Sequence, residues 1–441
     1  MFASRAYAVS SSPCRVGVPM KRRTVCRILW AIASLLCGGA WPGIQTRADW
    51  PQVLGPNRDG WAAAGEQLGD WTTNPPQIAW QRAVGPGYAG AAIVDRTAIV
   101  IHRQGKTDLI ERLQLENGQL LWQTTVDETY GSGADPDAGP RCTPVVADGI
   151  VLCTTAAGDL HALSLADGQL LWTRALREET NAGDGYFGAS TTPLVVDQTI
   201  VAIVGGTRGR AVMGLNLKSG ETLWKAGDGK AEYASPIVVT IDGAAAAICP
   251  LQTETIAVRV SDGAVLWQTP YGTRGAKVIA ATPLKTPAET IFLTAEYGIH
   301  AKSVWIRDGR EHWSSKDAIS SQFVTPILAD GYLYGCHGRE DIGSVDIRCC
   351  DPMTGKMQWE ERRYGVAAWL GVGNELLACG MNGRLDRIAI DPKTFRRTAQ
   401  FQIPIADGEA KLFRALPALS DGYLIMRSSG LGSHVMALQV R

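Results

Sequence analysis

The chain has 441 residues, 43 of them basic and 43 acidic, and a sequence pI near 7. That balance argues against duplex nucleic acid as a partner, because such partners select a basic surface. With 49 Gly, 14 Trp and many short apolar runs, the composition suits an all-β protein with tight turns and disfavours a helical one.

Residues 1–48 differ from the rest. Lys21, Arg22 and Arg23 precede the apolar stretch Ile28–Ala40, which is too short to favour a membrane-spanning helix. Thr46-Arg47-Ala48 puts small residues at a cleavage position. This pattern predicts a signal peptide over 1–48, with Met20 as an alternative start. It implies export to the periplasm or cell envelope and no transmembrane domain in the mature chain. Leu36 before Cys37 is not the small residue that lipid attachment needs, so lipidation is not expected. Residues 49–75 read as an irregular extension, expected to run over the surface of the folded domain.

From residue 76 onward the chain repeats itself. An apolar residue, a short polar turn with Gly and a Trp recur as Leu115…Gly118…Trp122, Leu165…Gly168…Trp172, Leu217…Gly220…Trp224 and Val260…Gly263…Trp267. Looser copies are Ile306…Gly309…Trp313 and Cys350…Gly355…Trp359. Counted from Trp80, the Trp residues lie 42 to 52 positions apart. A second element precedes each copy, as in Thr143-Pro144-Val-Val-Ala-Asp-Gly149 and Thr325-Pro326-Ile-Leu-Ala-Asp-Gly331. With degenerate copies at Ala91–Asp95 and Ala368–Gly373 the units number eight.

Each unit reads as four short strands. Pro opens the first, where a missing N–H is tolerated, and Asp-Gly turns into the second. A further Gly leads to the third, and the fourth is expected to end at the Trp. Four strands at this period predict an eight-bladed β-propeller over 76–441. The last unit stops after a third strand, Val435–Val440, while Gln77–Trp80 is a fourth strand with no unit before it. Pairing the two closes the ring and removes the open sheet edges. The seventh unit lacks its Trp, and Phe401 reads as the lapsed copy. Trp80, Trp122, Trp172, Trp224, Trp267, Trp313 and Trp359 are therefore structural, packed between neighbouring blades.

The Gly…Trp repeats with their Thr-Pro and Asp-Gly elements resemble the quinoprotein alcohol-dehydrogenase-like (PQQ-like) propellers, which include quinone-dependent dehydrogenases and the assembly lipoprotein BamB. The opening Asp49-Trp-Pro-Gln-Val-Leu-Gly-Pro-Asn-Arg-Asp-Gly60 is similar to the start of planctomycete-type secreted members. The dehydrogenase branch implies PQQ and calcium, with several oxygen ligands, a carboxylate base and a vicinal Cys pair. Cys349-Cys350 could be that pair, but they fall at third-strand packing positions, where buried Cys acts as a small hydrophobe. The other Cys, including Cys142 and Cys153 across one hairpin, form no C-x-x-C pair, and the six His show no metal-ligand spacing. The loop His337-Gly-Arg-Glu340-Asp341 reads as a solvated turn, and Gly205–Arg210 as a strand connection. No catalytic residue, metal site or cofactor is expected.

Repeated residues build the scaffold, so function is sought where copies differ. Three residues before the Pro the copies read Arg141, Ser190, Tyr233, Ala280, Phe323 and Arg414, with Tyr88 and Val366 in the degenerate units. Trp369 replaces the Pro itself in the seventh. These positions should ring one mouth of the central channel. Tyr88, Arg141, Tyr233, Phe323, Trp369 and Arg414 either form a binding surface or plug the channel. The expected function is a BamB-like, non-catalytic scaffold of the envelope, a monomer that binds a protein or another envelope component. The alternative is a PQQ- and calcium-dependent oxidoreductase.

Overall fold

Asp148 and Gly149 both occupy the left-handed region, with φ of 48° and 74°. This is the backbone twist that a two-residue hairpin needs, and Asp-Gly supplies it at low steric cost. The same pair recurs at Asp242-Gly243, Asp330-Gly331 and Asp421-Gly422, so the turn signal works in blade after blade. In the computed structural model, the described residues are 49–441 except 132–136, 184, 186, 276, 406–411 and 430–431. The expected signal peptide, with Cys14, Cys26 and Cys37, lies outside them.

The strands form eight four-stranded antiparallel sheets, seven of them meanders of four consecutive strands. The second blade shows the plan: Val145–Ala147, Ile150–Thr154, Asp159–Ser164 and Leu170–Ala175. Its two middle strands are almost wholly buried, while the fourth is half-exposed, as expected for an inner and an outer edge. Regular helix among the described residues is confined to the turns Leu176–Thr180 and Glu340–Ile342.

The eighth blade closes as the sequence predicts. Gln77–Ala83 pairs antiparallel with His434–Gln439, with Trp80 opposite Ala437. The first and last strands of the described residues thus share one sheet, and the ring has no open seam.

The fourth strands do not end at their Trp. They begin about two residues before it and run on, as in Leu120–Asp127 around Trp122. A register shift sits beside each Trp, for example between Ala162 and Leu163 opposite Trp172. Such a bulge bends the strand and re-aims the side chain, here toward the next blade. In the seventh blade the residue in this register is Ala399, opposite Arg387. Phe401 lies two positions further on, so it is not the lapsed Trp.

Each Trp staples its blade to the next. The indole N–H of Trp80 donates to Leu115 O at 2.7 Å, Trp122 to Leu165 O at 2.9 Å, and Trp224 to Val260 O at 2.8 Å. Trp172, Trp267, Trp313 and Trp359 donate likewise to Leu217, Ile306, Pro352 and Asp391. The motif's Gly completes the joint. A Cβ on Gly168 would lie 2.6 Å from the Trp122 ring, and one on Gly220 would lie 2.8 Å from Trp172. The apolar residue, the Gly and the following Trp of the repeat are thus three parts of successive interfaces: an acceptor and a seat for the preceding blade's Trp, and the donor to the next blade.

The extension at 49–75 does not run over the outer surface. It crosses the channel. Trp50 exchanges backbone hydrogen bonds with Ile93, Pro51 O accepts from Val146 N, and Gly371 bonds to both Gly60 and Ala62. Trp61 donates to Leu328 O at 2.8 Å. Arg58 is fully buried and donates to Thr192 O at 3.2 Å, Pro236 O at 2.9 Å and Pro193 O. The segment therefore spans first strands on both sides of the ring. The physical reason is unfilled space: short first strands leave an axial gap lined by carbonyls, and one long cationic side chain satisfies several of them.

Candidate functional site at the channel mouth

The mouth that the extension leaves open is a cavity of about 540 Å³. All eight positions three residues before the Pro, or before its substitute, line it: Tyr88, Arg141, Ser190, Tyr233, Ala280, Phe323, Val366 and Arg414. Each is partly exposed beside a buried neighbour, so the chain presents one side chain per blade to the opening. Trp369 is not among them. It is buried at 2% exposure in the first strand of blade seven, packed in an apolar cluster with Tyr334 and Ile388.

Below this ring lies a second, made of the residues just before the Pro: Thr143, Thr192, Ser235, Thr282, Thr325, Ala368 and Leu416. Its hydroxyls have structural work. Ser235 Oγ accepts from Thr192 N at 3.0 Å, and Thr325 Oγ1 accepts from Thr282 N at 2.9 Å. These bonds join one blade to the next and explain why Thr or Ser recurs before the Pro. Val53 of the crossing segment also lines the cavity.

The upper ring is polarised. Arg141 and Arg414 flank Tyr88, their guanidinium carbons 5.6 and 5.9 Å from its ring centroid. Arg141 is held by the carbonyls of Asp137 and Gly139. Arg414 pairs with Glu340 at 3.2 Å. The opposite side carries Tyr233, Ala280 and Phe323, with the Phe187 ring centroid 5.8 Å from that of Tyr233 and tilted against it.

Glu340 and Asp341 line the same cavity, so the loop read as a solvated turn belongs to the mouth. Gln322 anchors it by accepting from Glu340 N at 2.8 Å. The signal available was position: the loop follows the second strand of a blade, on the side where first strands begin.

The quinone and calcium of the dehydrogenase branch find a poor donor set here. Calcium needs several converging oxygens. The two carboxylates on the cavity wall are turned to Arg414 and Arg339. Among the described residues no group of three His, Cys, Asp or Glu side chains is placed to share a metal ion. Cys349 and Cys350 lie on the third strand of blade six, buried and unbridged, and burial pushes both thiols up to about 12. Cys142 and Cys153 are likewise buried free thiols. Burial takes His161 down to about 4, and its Nδ1 meets Thr173 Oγ1 at 2.9 Å, a packed neutral ring.

Comparison with known proteins agrees with this architecture. The chain resembles BamB of Escherichia coli, 30% identical over 125 residues, 28% of each chain. With BamB of Burkholderia pseudomallei it shares 22% identity over 242 residues, 45% of this chain and 60% of the other. The matched stretches span about a third of the length of several such relatives, as with the 34% covered in the Shigella dysenteriae protein. Among solved structures, BamB from Moraxella catarrhalis superposes with a TM-score of 0.57 at 16% identity, over 82% of this chain and 97% of the other. A europium-containing methanol dehydrogenase superposes with a TM-score of 0.66 at 13% identity, over 89% and 98%. At such identities the structures share the fold alone. Over residues 71–361 the sequence matches the family described as outer membrane protein assembly factor BamB, and the chain belongs to that family.

Proposed function

We propose that this chain is an exported, non-catalytic scaffold of the cell envelope that holds a protein partner at the open mouth of its propeller. One observation carries the reading. The positions at which the repeats disagree form the upper ring of the cavity, whereas the positions at which they agree, including the Thr and Ser beneath that ring, form the joints between blades. A repeat protein varies its residues where it meets a ligand and keeps them where copies meet each other. Membership of a family named for outer-membrane protein assembly favours a protein partner in the envelope. The aromatic and Arg composition of the ring is what protein interfaces use as anchors. No helix among the described residues is long and apolar enough to cross a membrane.

Affinity capture from the native envelope tests this. Tyr233→Ala with Phe323→Ala should release the partner while the variant still melts cooperatively, because both side chains are only partly buried at the rim. Partner retention by that double variant would contradict the reading. Reduction of a dye on addition of PQQ and calcium would favour the oxidoreductase instead.

A further inference from the structure

The charges around the mouth do not cancel locally. Glu340 is matched by Arg414, and Asp341 by Arg339. Arg141 is different. Its hydrogen bonds go to two backbone carbonyls, its faces to Tyr88 and Tyr130, and no carboxylate among the described residues pairs with it. The nearby Asp137 carboxylate accepts instead from the amides of Gly87 and Gly139, at 2.9 and 2.8 Å. Deeper in, the channel holds Arg58, whose partners are three carbonyls and the Gln52 side chain. Burial alone lowers its guanidinium to about 9, so it keeps its charge at neutral pH. Among the described residues neither cation, one on the wall and one under the floor, is ion-paired with a carboxylate, and together they make the cavity attractive to anions.

Much of the rest of the wall, above the Thr and Ser ring, is apolar and aromatic: Phe187, Tyr233, Val278, Phe323 and Phe413. Apart from Phe413 beside Arg414, the two characters lie on opposite sides of the ring: Arg414 and Arg141, at blades eight and two, flank Tyr88, and Tyr233 and Phe323 stand at blades four and six. We infer, on the basis of the scaffold reading above, that the mouth receives a hydrophobic peptide segment bearing a carboxylate, with Arg141 as the anion contact and the Tyr233–Phe323 side as the seat for an aromatic or aliphatic side chain. A guanidinium already stacked on two rings is pre-oriented, so it gives up little freedom on binding. The cavity of about 540 Å³ suits two or three residues. The carboxylate comes either from a chain terminus or from an Asp or Glu side chain.

Three peptides separate these sources: acetyl-Phe-Ala-Phe with a free carboxylate, the same peptide amidated, and amidated acetyl-Phe-Asp-Phe. Titration against the full-length protein should show the amidated neutral peptide at least about tenfold weaker than a carboxylate-bearing one, as expected for a charged hydrogen bond. The advantage should shrink with salt and vanish in Arg141→Gln. Binding of the free acid alone assigns a chain terminus, and binding of the Asp peptide alone assigns a side chain. Equal affinity for the neutral and charged peptides overturns the inference, and this comparison needs no variant to fold. If no peptide binds while the envelope partner is still captured and is lost in the Tyr233/Phe323 double variant, the carboxylate inference fails and the scaffold reading stands. Loss of neither would remove both.

Discussion

Trp71 Nε1 donates to the carbonyl of Val440 at 3.2 Å. Val440 holds in the last blade the place that Leu115, Leu165 and Leu217 hold in the first three, the acceptor for a preceding Trp. Blade seven has Ala399 where its own Trp would stand. The extension fills the vacancy: Trp71 is buried, Arg387 opposite Ala399 lies 5.4 Å from its ring, and Gly69 N donates to Val440 O at 2.9 Å. The eighth joint is thus stapled from outside the repeat.

Replacement of this indole should open the seam between the seventh and eighth blades. Trp71→Ala is expected to cost about 3–5 kcal/mol, the range for a buried Trp, and Trp71→Phe clearly less. Trp172→Ala and Trp224→Ala should cost a similar amount, since they make the same joint. Thermal melts of the three Ala variants check this. An unchanged midpoint for Trp71→Ala would mean that the eighth joint holds without a staple.

The seat of the staple can be tested apart from backbone strain. Gly149 and Gly168 have nearly the same φ, 74° and 73°, but a Cβ on Gly149 meets nothing within 4 Å while one on Gly168 strikes the Trp122 ring. Both Ala variants pay for the left-handed backbone, roughly 1 kcal/mol. Gly168→Ala should lose a further 1–3 kcal/mol or so from the clash. Equal denaturation midpoints for the two variants would show that the ring moves aside freely.

Glu232, next to Tyr233, gives a pH signature. Its Oε1 accepts from Gln252 at 3.0 Å, its Oε2 is buried without a partner, and burial raises the carboxyl to about 7. The folded protein therefore holds a proton that the unfolded chain, near 4.5, has already released. The stabilisation from this proton is complete below about 4.5 and is lost as pH rises through about 7. Glu232→Gln should raise the melting midpoint at pH 8 and have little effect at pH 4. A gain that is the same at both pH values would refute the assignment.

The architecture was legible because the repeat carries its turn chemistry in plain view: Asp-Gly, Pro and Gly each mark a backbone event. Ring closure followed from counting strands at the two ends. The ring at the mouth was legible too, since alignment of the copies picked out all eight positions of its upper tier. What escaped was everything supplied from outside the repeat. Arg58 and Trp71 sit in a segment with no periodicity, and their partners across the ring are backbone carbonyls, which leave no trace in side-chain pattern. Trp369 misled because a large residue at the Pro position can turn into the blade as readily as toward the channel. Phe401 misled because the bulge, not the distance from the turn, fixes which residue meets the next blade.

The central claim is that partners meet this propeller at the cavity mouth and not along its outer edge. The outer edge is a fair rival, since Leu121, Leu171 and Leu223 stand exposed on the fourth strands of the first three blades. A photo-crosslinking residue placed at Phe323, and separately at Leu171, compares the two in the native envelope. The account predicts a discrete protein adduct from position 323 and none from 171. An adduct from 171 with none from 323 would contradict it.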